Sequence, residues 1–439
     1  MHRFLALVLG PLVALLVLVA AAAGHEGDAP DPTASHVESL AVSPPSPRAS
    51  SKNVEVLAHV YPGTGTLGDV YGYGGHAYLA SWRGRGCLSK GIRVYDLRNP
   101  RAPKLVSTFA DAASDPAVAH TWTEKVIVQH VNTPSFTGDI AAVSFQACFT
   151  PDRLNPTVFR GFGLYDVTDP AHPRKLALYN TEPGVNGGSH EIWIEAVGTR
   201  AYVYTAIIYS DLRTGCAVHD FRIIDVSDPV APTQVGTWSA CTALGIPPEA
   251  GQGGFVRNFV HSVRTNEQAT RAYLSYWDLG TVILDVSDPA NPQYLGRTTF
   301  DPEEEGDAHS AFVTRGESLL IETHETDAGV PSFWDISDPS QPVKLSEFVP
   351  DGYQDDTVHD PKVRGSLAYF SWYSLGVVVA DITDPANPRF VAQFVPDSDV
   401  VNPDFFCAEP CAEVWGVFVE RDYILASDMN SGLWVFRIH

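Results

Sequence analysis

Histidine is the residue of this 439-residue chain whose placement suggests chemistry. His120, His190, His261, His309 and His359 each open a β-rich run at the same place in a recurring pattern, as in "HEIWIEAV" and "HSVRT". Asp69 and Trp415 occupy that place in two further runs. Imidazole suits Zn, Cu and Fe, and three or four rings at one level can close around an ion. A sixth candidate, His324, lies in "IETHETD". If that segment is a strand, His324 shares a face with Glu322 while Glu325 points away, because successive side chains alternate. The six histidines are thus candidate ligands for a transition metal ion (Zn, Cu, Fe or Mn). A compact H-E-x-x-H motif is absent, and the same column arises if a repeat merely copies an imidazole bonded to its neighbour.

The elements that must hold this column are repeats. Six segments share one pattern, including "FRIIDVSDPVAPTQVGTW", "TVILDVSDPANPQYLGRTTF" and "VVVADITDPANPRFVAQF". Their anchoring aspartates are Asp96, Asp166, Asp225, Asp285, Asp335 and Asp381. Each segment reads as a β-hairpin, in which Asp accepts bonds from nearby backbone N–H groups and Pro pre-sets the turn. That chemistry gives the aspartates a structural role. Two more strands precede each hairpin, so each unit has four strands, the pattern of propeller blades. Blade two departs most, with an insertion expected from Gln129 to Arg160.

"VWGVFVE", "YILASD" and "GLWVFRI" supply three strands of a seventh unit before the chain stops. "NVEVLAHVY", starting at Asn53, resembles the missing fourth. The expected fold is all-β: a seven-bladed β-propeller over 53–439, its ring closed by an N-terminal strand that completes the last blade. Closure removes the unpaired edges that an open ring would expose. The second strands end at Trp82, Gln146, Ala206, Trp277, His324, Tyr373 and Asp428, which are expected to crowd the channel mouth beside the histidines.

The repeated "VILDVSDPANPQYLG", preceded by "AYLSYWDLG", resembles the LVIVD repeat. That resemblance implies a propeller of secreted or surface type. It implies little about activity, because propellers carry both enzymes and scaffolds.

Composition narrows the partners. Acids outnumber bases 52 to 29, a net charge of −23, which argues against nucleic acid. Residues 1–23 read as a signal peptide: a short polar start, an apolar run from Phe4 to Val19, and small residues for cleavage. Residues 24–52 read as a Pro/Ser-rich linker. With no second spanning run, the mature chain is expected to be a secreted or cell-envelope monomer, periplasmic or extracellular. Six cysteines in an exported chain suggest disulfides. Cys87 and Cys148 lie in equivalent loops of neighbouring blades, Cys216 and Cys241 flank blade three, and Cys407 and Cys411 bracket "AEP". Glu303, Glu304, Glu305, Asp307, Asp355 and Asp356 read as a solvated acidic rim. No nucleophile elbow or phosphate-binding loop occurs. The expected function is a binding platform for a protein, glycan or small molecule, with a His-lined metal site at the channel mouth. The alternative is a metal-dependent hydrolase or oxidoreductase built on that site, with catalytic residues left unassigned.

Overall fold

The computed structural model describes residues 50–439 apart from 85–86, 149–154, 182–186, 303, 327–328, 351, 353–355, 406 and 408. The signal-peptide reading, nearly all of the linker, and Glu303 and Asp355 of the acidic rim therefore fall outside the described residues.

Seven small antiparallel sheets form the ring. Blade 4 shows the plan. Its strands Ser262–Thr265, Arg271–Ser275, Thr281–Asp285 and Gln293–Arg297 pair in sequence order. The Asp-Pro hairpins behave as their chemistry requires. Asp96, Asp166, Asp225, Asp285, Asp335 and Asp381 each accept a bond from the backbone N–H two residues on, at 2.8–3.0 Å. These aspartates turn the chain at the outer edge and do not face the channel.

The last blade joins the two ends of the chain. Val54–Val60 pairs antiparallel with Gly432–Ile438, from Val54 opposite Ile438 to Val60 opposite Leu433. His59 stacks on Trp434 at 3.9 Å, and its Nε2 lies 2.7 Å from the Ser431 carbonyl oxygen.

Alternating apolar residues of each blade bury against the next blade. Between blades 3 and 4, Tyr204, Phe221 and Ile223 pack on Val263, Leu274 and Val282. Between blades 6 and 7, Val377 and Val379 pack on Val417 and Ala426. This two-sided burial explains why the strands read as nearly continuous apolar runs.

Blade 2 corrects the expected insertion. Gln129 is part of strand Val126–Asn132, and strand Thr137–Ala147 follows directly. Most of the supposed insertion is thus the blade's own sheet. The irregularity lies earlier, where the inner strand is broken between Thr121–Trp122 and Val126–Asn132. Three disulfides join Cys87 to Cys148, as the equivalent loops suggested, Cys216 to Cys241 and Cys407 to Cys411. Among the described residues, no helix is long and apolar enough to cross a membrane.

Candidate metal centre

Just before the inner strand of blades 3, 4 and 6, the backbone already bonds to the end of the second strand. There His190 N donates to Ala206 O (2.9 Å), His261 N to Ser275 O (2.8 Å) and His359 N to Ser371 O (2.9 Å). His309 holds the same place in blade 5, at a bulge in strand Ala308–Thr314. All four imidazoles are at most 1% exposed.

Their rings follow one another around the channel. Centroids are 4.3 Å apart from His190 to His261, 4.1 Å from His261 to His309, and 4.3 Å from His309 to His359. Three tryptophans complete the circle. His359 lies 4.1 Å from Trp415, Trp415 5.6 Å from Trp82, Trp82 5.1 Å from Trp122, and Trp122 6.2 Å from His190. Each of the seven blades contributes one ring.

Backbone carbonyls orient the imidazoles. His261 Nδ1 lies 3.2 Å from His309 O, and His309 Nδ1 lies 2.8 Å from His359 O. An Nδ1–H donated to a carbonyl is the usual support of a metal-ligating histidine, whose Nε2 is then the ligand atom. The Nε2 atoms of His190 and His261 then meet at 2.8 Å. Glu325 Oε2 lies 3.3 Å from His309 Nε2. One ligand atom each from His261, His309 and Glu325 lies within 4.8 Å of the others, close enough to share one ion. Burial and the neighbouring His309 push the His359 imidazole well below its ordinary pKa, so it is neutral, as a metal ligand must be.

Two of the expected ligands lie elsewhere. His120 sits at the surface, in a left-handed turn before Thr121–Trp122. The blade 2 residue at the ring position is Glu124. Ser144 N donates to Lys125 O just as Ala206 N does to Glu191 O and Ser371 N to Asp360 O, so Glu124 corresponds to His190 and His359. Its Oε2 lies 3.0 Å from His190 Nδ1, and its Oε1 lies 4.0 Å from His359 Nε2. His324 turns into the interface between blades 4 and 5. There its Nε2 lies 3.1 Å from Glu322 Oε1, while Glu322 Oε2 accepts from Thr281 N and Thr298 Oγ1, both at 2.7 Å. Glu325, expected to point away, reaches the histidines instead. The strand ends at His324, so strict alternation stops there. Tyr373 OH donates to Glu325 Oε1 and holds it in place.

Other parts of the mouth divide. Trp82, Tyr373 and Trp415 pack together, while Trp277 lies 5.1 Å from His261. Gln146 Oε1 lies 2.8 Å from His190 Nδ1. Ala206 instead joins the core between blades 3 and 4, and Asp428 accepts from Glu413 N and Ser431 N at 2.5 Å. Two residues of the expected acidic rim are buried. Asp356 accepts from Thr357 N (2.8 Å) and Ser374 N (3.1 Å), and Asp307 lies against Asp278. Glu304 does sit at the surface, paired with Lys344 at 2.8 Å.

The comparisons with known proteins bear on the scaffold. The LVIVD repeat matches residues 217–239 and 272–299, the outer hairpins of blades 3 and 4. The chain carries LVIVD repeats. The matched LVIVD segments contain neither His190 nor His261, so the match describes the blades and leaves the site to its geometry. No curated protein matches the sequence. Among solved structures, the chain is similar to the computationally designed Ika8 protein. The TM-score is 0.48 and the identity 9%, covering 88% of this chain and 100% of that one.

Deeper in the channel of this LVIVD propeller, six buried charges come together. Lys125 Nζ lies 2.8 Å from Asp69 Oδ2, 2.9 Å from Glu191 Oε1 and 3.3 Å from Asp360 Oδ2. Arg264 Nη2 lies 3.2 Å from Asp360 Oδ1, and Lys362 also pairs with Asp360. Burial alone would discharge Lys125, but Asp360, Asp69 and Glu191 outweigh it and hold its pKa well above the ordinary value. Three acids and three bases lie together, which limits the net charge buried there.

Burial also raises several carboxyls: Glu191, Glu195 and Asp278 to about 7 and Asp356 to about 6. Between the ordinary carboxyl range and these values, the folded chain holds protons that the unfolded chain releases. This contribution is complete below the ordinary range and is lost as pH rises through 6 to 7. His359 acts in the opposite sense below its ordinary value, but as one group against several. The melting temperature is therefore expected to be higher at pH 5.5 than at pH 8, with Glu195→Gln flattening the slope. An equal or higher melting temperature at pH 8 would contradict the assignment.

Proposed function

We propose that this protein is an exported, metal-binding propeller, a rigid platform whose channel holds one transition metal ion. His261 and His309 supply Nε2 and Glu325 supplies a carboxylate, with His190 and His359 flanking them. The observation that carries this reading is the convergence of these three ligand atoms within 4.8 Å. Two imidazoles and one carboxylate form a set used by Zn hydrolases and by non-haem Fe(II) enzymes, with coordination positions left for a substrate or water. That open set favours the enzyme alternative within the same site, as a hydrolase or an oxidoreductase. Three disulfides support an oxidising compartment.

Metal analysis of the full chain after exhaustive dialysis tests the proposal. About one equivalent of Zn, Cu, Fe or Mn per chain is expected in the wild type. Loss of that metal is expected in His261→Ala/His309→Ala and in Glu325→Gln, with folding retained by circular dichroism. A wild type that neither retains nor takes up metal, or variants that keep it fully, would overturn the proposal.

A further inference from the structure

Beside the histidines lie buried hydrogen-bond donors with no acceptor among the described residues. Trp122 Nε1, Trp277 Nε1 and Gln146 Nε2 are each unmatched, and their side chains are 2%, 4% and 1% exposed. Buried N–H groups are nearly always matched, so three beside one pair of histidines call for an explanation.

All three touch the same pair of histidines. Gln146 and Trp122 stand opposite each other on paired strands, and Gln146 Oε1 is engaged by His190 Nδ1 at 2.8 Å, which leaves its NH2 over. Trp122 meets His190 edge-on, and Trp277 lies 5.1 Å from His261. The position of Trp277 is imposed by its backbone. Its φ is +41°, and an isolated bridge ties it to Ala308 of the next blade. A left-handed conformation at a bulky residue is found where the surroundings enforce it.

We infer that the His190–His261 side of the ring is a subsite for a small monocarboxylate, its oxygens accepting from the Trp122, Trp277 and Gln146 N–H groups. The inference deepens the metal reading and rests on it. A divalent ion facing Glu325 would keep one net positive charge, which a monoanion offsets. Fixed N–H donors in a water-poor site bind an oxyanion without having to reorganise. Indole rings on both flanks favour a short apolar substituent on the carboxylate.

The test uses the full chain loaded with Co(II), titrated with acetate and propionate. Visible absorption of the cobalt and indole fluorescence are both followed. Saturable changes in both signals are expected. Trp122→Phe and Trp277→Phe should each weaken binding roughly tenfold or more, since each removes one hydrogen bond to a charged group. Unchanged cobalt stoichiometry in each variant shows that it is folded and that the metal site is intact. Full cobalt loading with no carboxylate response, or equal affinity in both variants, overturns the subsite while leaving the metal reading standing. Failure to take up cobalt overturns the metal reading and, with it, the subsite that rests on it.

Discussion

Deleting residues 1–60 is expected to abolish the monomeric fold. Val54–Val60 supplies the outer strand of the last blade, and its loss exposes the whole edge of Gly432–Ile438. Unpaired edges of this kind recruit other chains. The deletion also removes the His59–Trp434 stack and Leu57, which is buried in the cluster joining the last blade to the first. Expression should yield aggregate, or a soluble form that protease clips within 414–438. A permuted chain carrying residues 50–61 after His439 through a short linker should recover a monomer with near-native melting. A soluble, protease-resistant deletion variant melting like the wild type would show that closure contributes nothing.

Replacing Lys125 by Met is expected to have the second-largest effect. The ammonium sits between Asp69, Glu191 and Asp360, and no water-exposed path relieves them, since all four side chains are at most 3% exposed. Removing one partner of a buried ion pair typically costs about 3–5 kcal/mol, because the other charge stays buried. A chain of this size has an unfolding entropy of roughly 0.8 kcal/mol/K, so the melting temperature should fall by about 5 °C. Glu191 is the carboxyl best able to respond, since burial already lifts its pKa to about 7. The loss should therefore be smaller at pH 5.5 than at pH 8, and Lys125→Met/Glu191→Gln should regain part of it. A substitution that is neutral at pH 8 would mean that the network contributes no net stability.

The fold was legible in the sequence because one physical device recurs. An Asp that caps its own turn, followed by Pro, marks the outer hairpin of each repeat, and the six bonds from backbone N–H to Asp follow directly. The Cys87–Cys148 pair was legible for the same reason, since equivalent loops of adjacent blades lie side by side. The centre was harder to read. His190, His261, His309 and His359 were found by position within the repeat. Glu124 was missed because blade 2 breaks its inner strand, shifting the register so that a carboxylate stands where His120 was expected. Glu325 was assigned to the wrong side because strand alternation was extended one residue past the point where the strand ends. Long-range convergence, such as Glu124 with both His190 and His359, leaves no local trace in a sequence.

The seven rings around the channel, running from Trp82 to Trp415, come one from each blade. No fragment of the chain contains this circle. During synthesis the circle is incomplete until Trp415 has emerged, and the blade carrying Trp415 is unfinished until Gly432–Ile438 meets Val54–Val60. The complete circle therefore requires nearly the whole length of the chain. The ligands His261, His309 and Glu325 come from two adjacent blades, so an ion seated there would hold blades 4 and 5 together whether or not the two ends have met.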